Sequence, residues 1–419
     1  MQQQWIGIAD MGNPKLIIIG NGMAGVKTLE HLFTIAPDFY DITVFGTELH
    51  PNYNRILLSP VLAGEMTLAD IVINDHAWYA DRGITLHLGK TITRIDRKRR
   101  IVAADDGTVA PYDRLLLATG SSAVKLAIPG NDLKGVLTYR DIGDTEAMIE
   151  MSRTAKRAVV IGGGLLGLEA ANGLALRGMQ VTVVHVMPWL MERQLDQSAA
   201  NTLQHALESR GVEFRLGATT TEICGINGKV SSVTFKSGES IDTDLVVMAV
   251  GVRPNVWLAE SCGLQINRGI VVDDSLQTYD PRIYAVGECV AHRGVSYGLV
   301  APLYEMAKVC ATHLAEVGSH YYLGTVPSTR LKVTGVDVFS AGNFMGTKTS
   351  EAIVLKDPRN GIYRKLVIEN NLLHGSALVG SVLIGSVLVG DTSAATQYVD
   401  MIAAKRNIAA MRNELMFIS

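Results

Sequence analysis

The sequence is poor in cysteine and in basic charge, and each shortage excludes a class of protein. Its 419 residues include four cysteines, none in a CxxC pair or at metal-ligand spacing. We therefore expect ordinary reduced thiols and no zinc or iron–sulfur site built from neighbouring ligands. The net charge of −3 leaves no basic excess to neutralise phosphates, so no nucleic-acid partner is expected.

The chain also lacks clear targeting and membrane signals. Residues 1–13 are polar, without the charged start and apolar core of a signal peptide, which predicts a cytoplasmic protein. A stretch of nineteen residues without Asp, Glu, Lys or Arg, 372–390, repeats Gly-Ser among β-branched neighbours. That pattern favours buried strands with turns or bulges over a membrane helix, so no membrane partner is expected.

What the sequence does contain is one glycine-rich motif, twice. Residues 20–25 read GNGMAG after the apolar run 15–19, and residues 162–167 read GGGLLG after the apolar run 157–161. In each copy the glycines permit a tight turn and close backbone approach to a pyrophosphate. The following helix directs its positive N-terminal end at that group. Two copies predict two dinucleotides, most economically a flavin that stays and a nicotinamide that visits.

The periodicity around each motif predicts strand, helix, strand. The expected elements are strands 16–20, 42–45, 158–162 and 181–184, with helices 24–36 and 166–177, the second ended by Gly178. Strand pieces follow at 91–96 and 100–104, and two similar segments, 112–120 and 243–251, each end in Thr-Gly or Val-Gly. Both motifs therefore open doubly wound parallel sheets.

We predict an α/β fold with two doubly wound dinucleotide-binding domains, the second inserted in the first, and a C-terminal α+β domain. With 47% hydrophobic residues the chain can form several cores. The FAD-binding domain is expected at 1–121 and 253–324, the NAD(P)H-binding domain at 122–252, and a C-terminal interface domain at 325–419.

Four signatures occur together and carry a family resemblance. They are the two glycine motifs, the Ala-Thr-Gly at 118–120, and residues 278–288, TYDPRIYAVGE. On these the chain resembles the FAD-dependent pyridine nucleotide-disulfide oxidoreductase superfamily over essentially its whole length. Further stretches at 50–55, 162–171, 194–196, 297–302 and 388–393 are most similar to the FAD/NADH module of assimilatory nitrite reductase large subunits and nitrate reductase electron-transfer subunits.

The chain departs from that superfamily in one respect. Disulfide reductases of the family carry a CxxxxC pair after the second strand, where this sequence has YNRILLSP at 53–60. Without a dithiol relay, electrons must leave the flavin for an outside acceptor. Full-length relatives continue into iron–sulfur and sirohaem modules that this sequence does not contain. The resemblance thus implies a partner polypeptide, an iron–sulfur or molybdenum/sirohaem reductase subunit.

The resemblance also implies the FAD contacts. Glu288 would bind the ribityl chain at the N-terminus of a helix beside the isoalloxazine. The ribose would be bound by either Thr47 or Glu48, since Gly46 takes the usual place of the acid. Pro60 replaces a lysine that relatives often place beside the flavin N5. The full set is Gly20, Gly22, Ala24, Gly25, Thr47, Glu48, Asn54, Arg55, Ile92, Thr119, Gly120, Arg140, Gly287, Glu288 and Ala301.

For the nicotinamide cofactor the implied contacts are Gly162, Gly164, Leu166, Gly167, Glu169, His185, Val250 and Gly251. His185 occupies the selector position at the end of the next strand. A neutral imidazole there can bind a 2′-hydroxyl, a protonated one tolerates a phosphate, and a packed strand-end residue does neither. Because no arginine follows before Arg193, NADH is favoured, with NADPH as the alternative.

These inferences combine into a function. We predict a soluble NAD(P)H-dependent FAD oxidoreductase that passes electrons from NADH to a separate partner in nitrate or nitrite assimilation. No catalytic side chain and no metal are expected, because the flavin supplies the chemistry. The alternatives are a ferredoxin or rubredoxin reductase of another pathway and an NAD(H)-sensing, FAD-binding interaction protein.

Overall fold

A computed structural model describes residues 12–333, 336–372, 379–412 and 414–418. The α-helices are α1 (Met23–Ile35), α2 (Leu58–Ala63), α3 (His76–Ala80), α4 (Ile142–Ser152), α5 (Leu165–Leu176), α6 (Gln197–Glu208), α7 (Trp257–Ser261), α8 (Val300–Leu314) and α9 (Ala395–Ala403). Short 3-10 helices lie at Arg55–Leu57, Ala69–Ile71, Ala409–Met411 and Leu415–Phe417.

The strands of the first half are β1 (Lys15–Ile19), β2 (Asp41–Gly46), β3 (Asn52–Tyr53), β4 (Val72–Asn74), β5 (Thr85–Leu88), β6 (Ile92–Asp96), β7 (Ile101–Ala104), β8 (Val109–Pro111), β9 (Arg114–Leu117), β10 (Ser121–Ala123), β11 (Val136–Thr138), β12 (Arg157–Ile161), β13 (Gln180–His185) and β14 (Val212–Leu216). Those of the second half are β15 (Thr220–Ile226), β16 (Lys229–Phe235), β17 (Ser240–Asp242), β18 (Leu245–Met248), β19 (Val252–Pro254), β20 (Ile266–Asn267), β21 (Gly269–Val272), β22 (Ile283–Ala285), β23 (Val290–His292), β24 (Ser328–Val333), β25 (Val336–Gly342), β26 (Glu351–Asp357), β27 (Ile362–Leu372) and β28 (Val379–Val389).

The chain divides into two units, each assembled from separate stretches of sequence. The first comprises Met1–Asn54, Val72–Ser121 and Pro254–Gly324, and the second Arg55–Ile71, Ser122–Arg253 and Thr325–Ser419. Residues 55–71 thus belong to the second unit by their contacts. The division into segments predicted from the sequence stays a prediction.

The first unit is built on a five-stranded parallel sheet in the order β22-β9-β1-β2-β5. β1 lies at its centre, with Ile18 opposite Val44 on one side and Leu116 on the other. The apolar runs predicted as strands are buried because helices cover a parallel sheet. The helices α1 and α8 of this unit pack against each other.

The second unit repeats this plan in a five-stranded parallel sheet, β11-β18-β12-β13-β14. Val160 of the central β12 lies opposite Val183 and Val247. The strands and helices predicted around the two motifs are present, with bounds that differ by a residue or so. Gly178 follows the helix as expected, at φ +85°. The predicted fold class is confirmed.

The C-terminal part of the second unit is a five-stranded antiparallel sheet, β24-β25-β28-β27-β26. Residues 379–389 of the uncharged stretch form β28, a strand as the Gly-Ser pattern predicted, while 373–378 lie outside the described residues. Gly385 is required within β28 because a Cβ there would lie 2.3 Å from the Asn343 carbonyl carbon. The prediction made for 1–13 falls mostly on residues outside the described ranges.

Asp196 ties this sheet to the helix that follows the nucleotide-binding strands. Its carboxylate caps α6 by accepting the Ala199 N–H at 2.9 Å. It also accepts the Tyr363 hydroxyl at 2.8 Å and the Lys365 ammonium at 2.9 Å, both from β27. One aspartate therefore connects two layers of the second unit.

Candidate functional site

The first glycine-rich turn follows β1 and begins α1. Gly20 has φ +113°, and a Cβ on it would lie 2.1 Å from the Ala118 carbonyl oxygen, so no other residue fits. Its N–H donates to the Phe45 carbonyl at 2.8 Å, which locks the turn to the neighbouring strand. Gly25 comes close to the Gly20 carbonyl, since an added Cβ would be 2.8 Å from that oxygen.

Gly22 is the N-cap of α1 and leaves the helix end open. No side chain caps this end, and a Cβ on Gly22 would have no neighbour within 4 Å. The buried Ala24 lies in the first helical turn. The free N–H groups and the helix dipole make such an end suited to an anion.

Asn21, which the sequence reasoning did not select, adds a polar group to this turn. Its Oδ1 accepts the Tyr79 hydroxyl at 2.7 Å, whereas its buried Nδ2 has no partner among the described residues. A buried amide donor without a partner is costly unless a ligand satisfies it. The arrangement fits a phosphate group of FAD. A polar residue between the first two glycines was the available signal.

Thr47 and Glu48 follow β2, the strand next to the turn. Thr47 is exposed, and its Oγ1 accepts the Thr91 hydroxyl at 3.3 Å. Glu48 is half-buried and accepts the Tyr53 hydroxyl at 2.6 Å. Both remain candidates for the ribose. The predicted residues Asn54, Ile92 and Ala301 also belong to the first unit, the last two at the starts of β6 and α8.

Thr119 and Gly120 lie just beyond β9, where the chain turns. The Thr119 hydroxyl donates to the Asn255 carbonyl at 2.8 Å, and the Asn255 amide donates back to the Thr119 carbonyl at 2.9 Å. Gly120 has φ +63°, which favours glycine. This reciprocal pair holds the segment after β9 to residue 255 within the first unit.

Glu288 does not stand at a helix N-terminus, and that expectation was wrong. It lies in a turn, and the next element is the strand β23, which pairs with β21. The β-branched Val290 and the turn after His292 favour a short strand over a helix. The Glu288 carboxylate accepts the Ser121 hydroxyl at 2.6 Å. Gly287 lies beside the first turn, because a Cβ on it would be 3.0 Å from the Ala24 Cβ.

Two further residues of the predicted FAD set belong to the second unit. The Arg55 guanidinium donates to the Arg140 carbonyl at 2.8 Å, so the structure brings these two positions together. Arg55 opens the 3-10 helix that precedes α2, and Arg140 lies just before α4.

The second glycine-rich turn follows β12 and begins α5. Gly162 has φ +124°, and a Cβ on it would lie 2.3 Å from the Ala249 carbonyl oxygen. Gly164 is the N-cap of α5, with open space where its Cβ would be. Gly167 approaches the Gly162 carbonyl so closely that an added Cβ would be 1.9 Å away. Leu166 lies in the first turn of this helix.

His185 ends β13 and is only 8% exposed. Its Nδ1 accepts the Gly163 N–H at 3.1 Å, and its Nε2 lies 3.0 Å from a carboxylate oxygen of Glu192. Both ring nitrogens therefore have partners within the second unit. Glu192, which the sequence reasoning did not select, stands seven positions later with no pattern to mark it.

Glu169 is buried in the second turn of α5 and accepts the Ser59 hydroxyl at 2.6 Å. Burial raises the pKa of Glu169 to about 7, and the Ser59 bond offsets part of that rise. The Ser59 oxygen also lies 3.0 Å from the Tyr139 hydroxyl. Ser59 is on α2, beside the Pro60 that stands in place of a lysine. The structure thus gathers the half-buried Ser59 with the buried Tyr139 and Glu169 into one hydrogen-bonded group, in which the Glu169 carboxyl has a pKa close to neutral pH.

The remaining predicted positions lie after β18. Val250 is half-buried against the core of this sheet. Gly251 has φ +117°, and its carbonyl accepts the Val124 N–H at 2.9 Å. Both residues therefore follow β18, the parallel neighbour of β12. They lie at the carboxyl-terminal edge of the sheet, where the second glycine turn also lies.

The thiols offer no redox pair. Cys224, Cys262, Cys289 and Cys310 are all free. Burial raises the pKa of the Cys289 and Cys310 thiols, which keeps them protonated and unreactive. Among the described residues, no three His, Cys, Asp or Glu side chains are grouped closely enough to hold a metal ion. Within the same ranges no helix has the length and apolarity needed to cross a membrane.

Two parallel sheets, each with a glycine turn at the carboxyl end of its central strand, define a protein that binds two dinucleotides. The family model for pyridine nucleotide-disulphide oxidoreductases matches residues 14–311, and the model for the C-terminal domain of rubredoxin NAD+ reductase matches residues 327–382. The chain belongs to the pyridine nucleotide-disulphide oxidoreductase family. It is an NAD(P)H-dependent flavin oxidoreductase, and the family implies binding of FAD and NAD(P)H.

Three similar proteins make the relationship more specific. A nitrite reductase [NAD(P)H] of Bacillus subtilis is 51% identical over 87% of this chain and 45% of its own length. The assimilatory nitrate reductase electron transfer subunit of the same species is 43% identical over 97% of this chain and 51% of its own. This chain thus spans about half the length of these relatives. A crystal structure of a ferredoxin reductase from Rhodopseudomonas palustris is 26% identical, with a TM-score of 0.81 over 90% of this chain and 91% of that one.

Proposed function

We propose that this chain passes electrons from NADH, through FAD, to a separate iron–sulfur or metalloenzyme partner in nitrate or nitrite assimilation. The observation that carries the proposal is the 43% identity to a nitrate reductase electron transfer subunit, which extends over 97% of this chain. Similarity over nearly the whole chain includes the C-terminal sheet as well as the two nucleotide folds.

The first glycine turn would hold the FAD diphosphate. Support comes from the uncapped end of α1, the open space at Gly22 and the buried Asn21 amide donor that has no described partner. Glu288, held by the Ser121 hydroxyl, offers a carboxylate to a sugar hydroxyl. We infer that the first unit supplies the resident cofactor's phosphate and ribityl contacts.

The second glycine turn would hold the nicotinamide dinucleotide. Gly164 leaves the end of α5 open in the same way, and Glu169 lies one turn further along the helix. When bound, FAD supplies the hydride acceptor and the release of single electrons. The protein's own contribution is to bind and orient both dinucleotides, and beside the second site it places Glu169, bonded to the Ser59 hydroxyl, with a pKa raised by burial to about 7.

The electron path would leave the chain. The segment 53–60, where disulfide reductases of the family carry a CxxxxC pair, contains no cysteine here. The buried thiols Cys289 and Cys310 have raised pKa values and no partner cysteine. An external acceptor is therefore required for turnover.

The test is an anaerobic titration of the FAD-loaded chain with NADH, followed by acceptor assays. We expect one hydride per FAD, no further uptake of reducing equivalents, and turnover with ferricyanide. The iron–sulfur and sirohaem part of a nitrite reductase, added as a separate polypeptide, should then support turnover. Uptake of four electrons per flavin, or disulfide reduction by the chain alone, would overturn the proposed path.

A rubredoxin reductase remains the second candidate, because residues 327–382 match the C-terminal domain of that enzyme class. A rubredoxin should be assayed beside the nitrite reductase part at equal concentration. Faster turnover with rubredoxin would support the electron transfer from NADH through FAD to an external acceptor, but it would contradict the assignment to nitrate or nitrite assimilation. Absence of turnover with every acceptor, with NADH still bound, would favour a sensing role.

A further inference from the structure

The loop between β13 and α6 folds back over the second glycine turn. The Met191 N–H donates to the Gly163 carbonyl at 3.0 Å, while the Gly163 N–H donates to His185 at 3.1 Å. A Cβ on Gly163 would lie 2.8 Å from both His185 Cγ and Leu190 Cδ2. Both backbone groups of Gly163 are therefore used within the protein, and neither is free for a ligand.

The bond from Gly163 decides how His185 can act. Because an N–H donates to Nδ1, that nitrogen carries a lone pair, and in the neutral ring the proton is on Nε2. Nε2–H then donates to the Glu192 carboxylate, 3.0 Å away. With its two nitrogens engaged, the imidazole has no polar atom left to read a ribose directly.

Glu192 is better suited to that task. Its side chain is 23% exposed, and the carboxylate oxygen near His185 is Oε2, so the second oxygen, Oε1, takes no part in that bond. The neighbouring Arg193 has a side chain that is 86% exposed, and its Nε lies 3.9 Å from the Glu192 Oε1, which is a long and weak ion pair. Glu192 therefore presents an oriented acceptor beside the strand end at which a dinucleotide ribose lies in such folds.

We propose that Glu192, positioned by His185, is the residue that accepts the ribose 2′-hydroxyl of NADH and repels the 2′-phosphate of NADPH. The inference rests on the proposed function, since it requires the second turn to bind the nicotinamide dinucleotide. Glu192, seven positions after the strand-end residue His185, would then be the residue that selects NADH over NADPH. His185 acts as a positioning residue, linking Gly163 of the turn to Glu192.

Calorimetric titration of the FAD-loaded full chain with NAD+ and with NADP+ tests this without turnover. Wild type should bind NAD+ more tightly. Glu192→Gln should lose about tenfold of that preference, the value expected for one charge-assisted hydrogen bond. Glu192→Asp keeps the charge and should still reject NADP+. Glu208→Gln, which removes an exposed acid at the end of α6, is the matched control and should leave the ratio unchanged.

Two variants of His185 test the positioning role. Glutamine can accept from Gly163 through its carbonyl and donate to Glu192 through its amide, so His185→Gln should keep most of the NAD+ preference. His185→Leu fills similar space but makes neither bond, and should lose the preference about as fully as Glu192→Gln. The NAD+ to NADP+ ratio is the readout, because a purely structural loss would weaken both ligands alike.

The outcomes separate this inference from the function it rests on. Wild type that binds NADP+ more tightly would overturn the proposed NADH preference, and a loss of NADP+ binding in Arg193→Gln would then identify the phosphate contact. Wild type that prefers NAD+, with Glu192→Gln preserving that preference and its flavin content, would overturn the role of Glu192 alone.

Discussion

The two glycine-rich turns have similar backbone conformations but differ in which residue carries a side chain where the turn contacts the end of the next strand. Gly20 and Gly162 have φ +113° and +124°, and each lies against a carbonyl of a neighbouring strand end, Ala118 or Ala249. In the first turn the side chain at this contact comes from the turn and the glycine from the strand end, and in the second turn the two are exchanged. Asn21 faces Gly46 in the first turn, whereas Gly163 faces His185 in the second.

This exchange is a steric compensation. A Cβ on Gly46 would lie 2.9 Å from the Asn21 Cβ, and one on Gly163 would lie 2.8 Å from the His185 ring. Only one side of each contact can carry a side chain. The choice determines which polar atoms remain. In the first turn the Asn21 amide nitrogen has no partner within the described part of the chain, and in the second the His185 ring has two partners.

A second difference lies two residues into each helix after its last motif glycine. Lys27 of α1 is half-buried and pairs with Glu30 at 2.8 Å. Glu169 at the corresponding place in α5 is buried and bonded to Ser59. The same helical position therefore carries a partly exposed ion pair in one unit and, in the other, a buried carboxyl whose pKa is raised by burial.

The largest expected effect separates the two sites by cofactor. Gly22→Glu and Gly164→Glu each add a side chain at an N-cap with ordinary φ and open space, so the chain should fold. Gly22→Glu should purify colourless, because its side chain occupies the place of the FAD pyrophosphate. Gly164→Glu should purify yellow but resist reduction by NADH. Flavin absorbance and anaerobic reduction are the measurements, and full flavin content in Gly22→Glu would refute the assignment.

The next effect concerns Glu169 and pH. Its pKa of about 7 in the folded chain lies above the ordinary glutamate value of 4.5, so between these values the folded chain binds more protons than the unfolded chain. The stability that this group contributes is present below the unfolded pKa and is lost as pH rises through about 7. The loss is on the order of 3 kcal/mol, from about 1.4 kcal/mol per pKa unit.

Urea unfolding of wild type and Glu169→Gln across this pH window measures that loss. The difference in the free energy of unfolding between the two should change with pH, since glutamine does not titrate. Lys27→Gln, at the corresponding position in α1, is the comparison variant and should show no such change. A constant difference between wild type and Glu169→Gln would mean that Glu169 keeps an ordinary pKa.

The steric compensation itself can be tested by transplanting it. Gly163→Asn should destabilise the second unit by about 2 kcal/mol through overpacking against His185. Adding His185→Gly recreates the first turn's arrangement and should recover about 1 kcal/mol or more. Thermal unfolding of the four variants in a double-mutant cycle gives the coupling. Additive effects would show that the two side chains do not compete for one space.

The smallest effect resolves the ribose contact in the first turn. Tyr53 orients the Glu48 carboxylate, whereas Thr47 is exposed and shares its hydroxyl with Thr91. We expect Glu48→Gln to weaken FAD binding about tenfold, the value of one hydrogen bond to a charged group, and Thr47→Val to leave it unchanged. Fluorescence titration of apoprotein with FAD measures both. The opposite ranking would assign the ribose to Thr47.

The parts of the molecule that depend on local sterics could be predicted from the sequence. The strands and helices around both glycine motifs were predicted to within a residue or so, because β-branched runs and glycines at fixed spacing admit few backbone conformations. Local sequence patterns also identified the family and predicted that residues 379–389 form a strand. Glu288 was the exception: the family resemblance predicted that it begins a helix, whereas it lies in a turn that is followed by the strand β23.

The sequence by itself thus determined two glycine-rich turns, two parallel sheets and the absence of a CxxxxC pair. Only the tertiary structure decided which side chains meet at them. Ser59 reaches Glu169 across 110 residues of sequence, and Glu192 reaches His185 through a loop with no periodic pattern. Such contacts depend on how packed elements place distant side chains, and burial then sets their hydrogen bonding and pKa. The local conformational preferences of the residues predict neither these contacts nor the resulting pKa values.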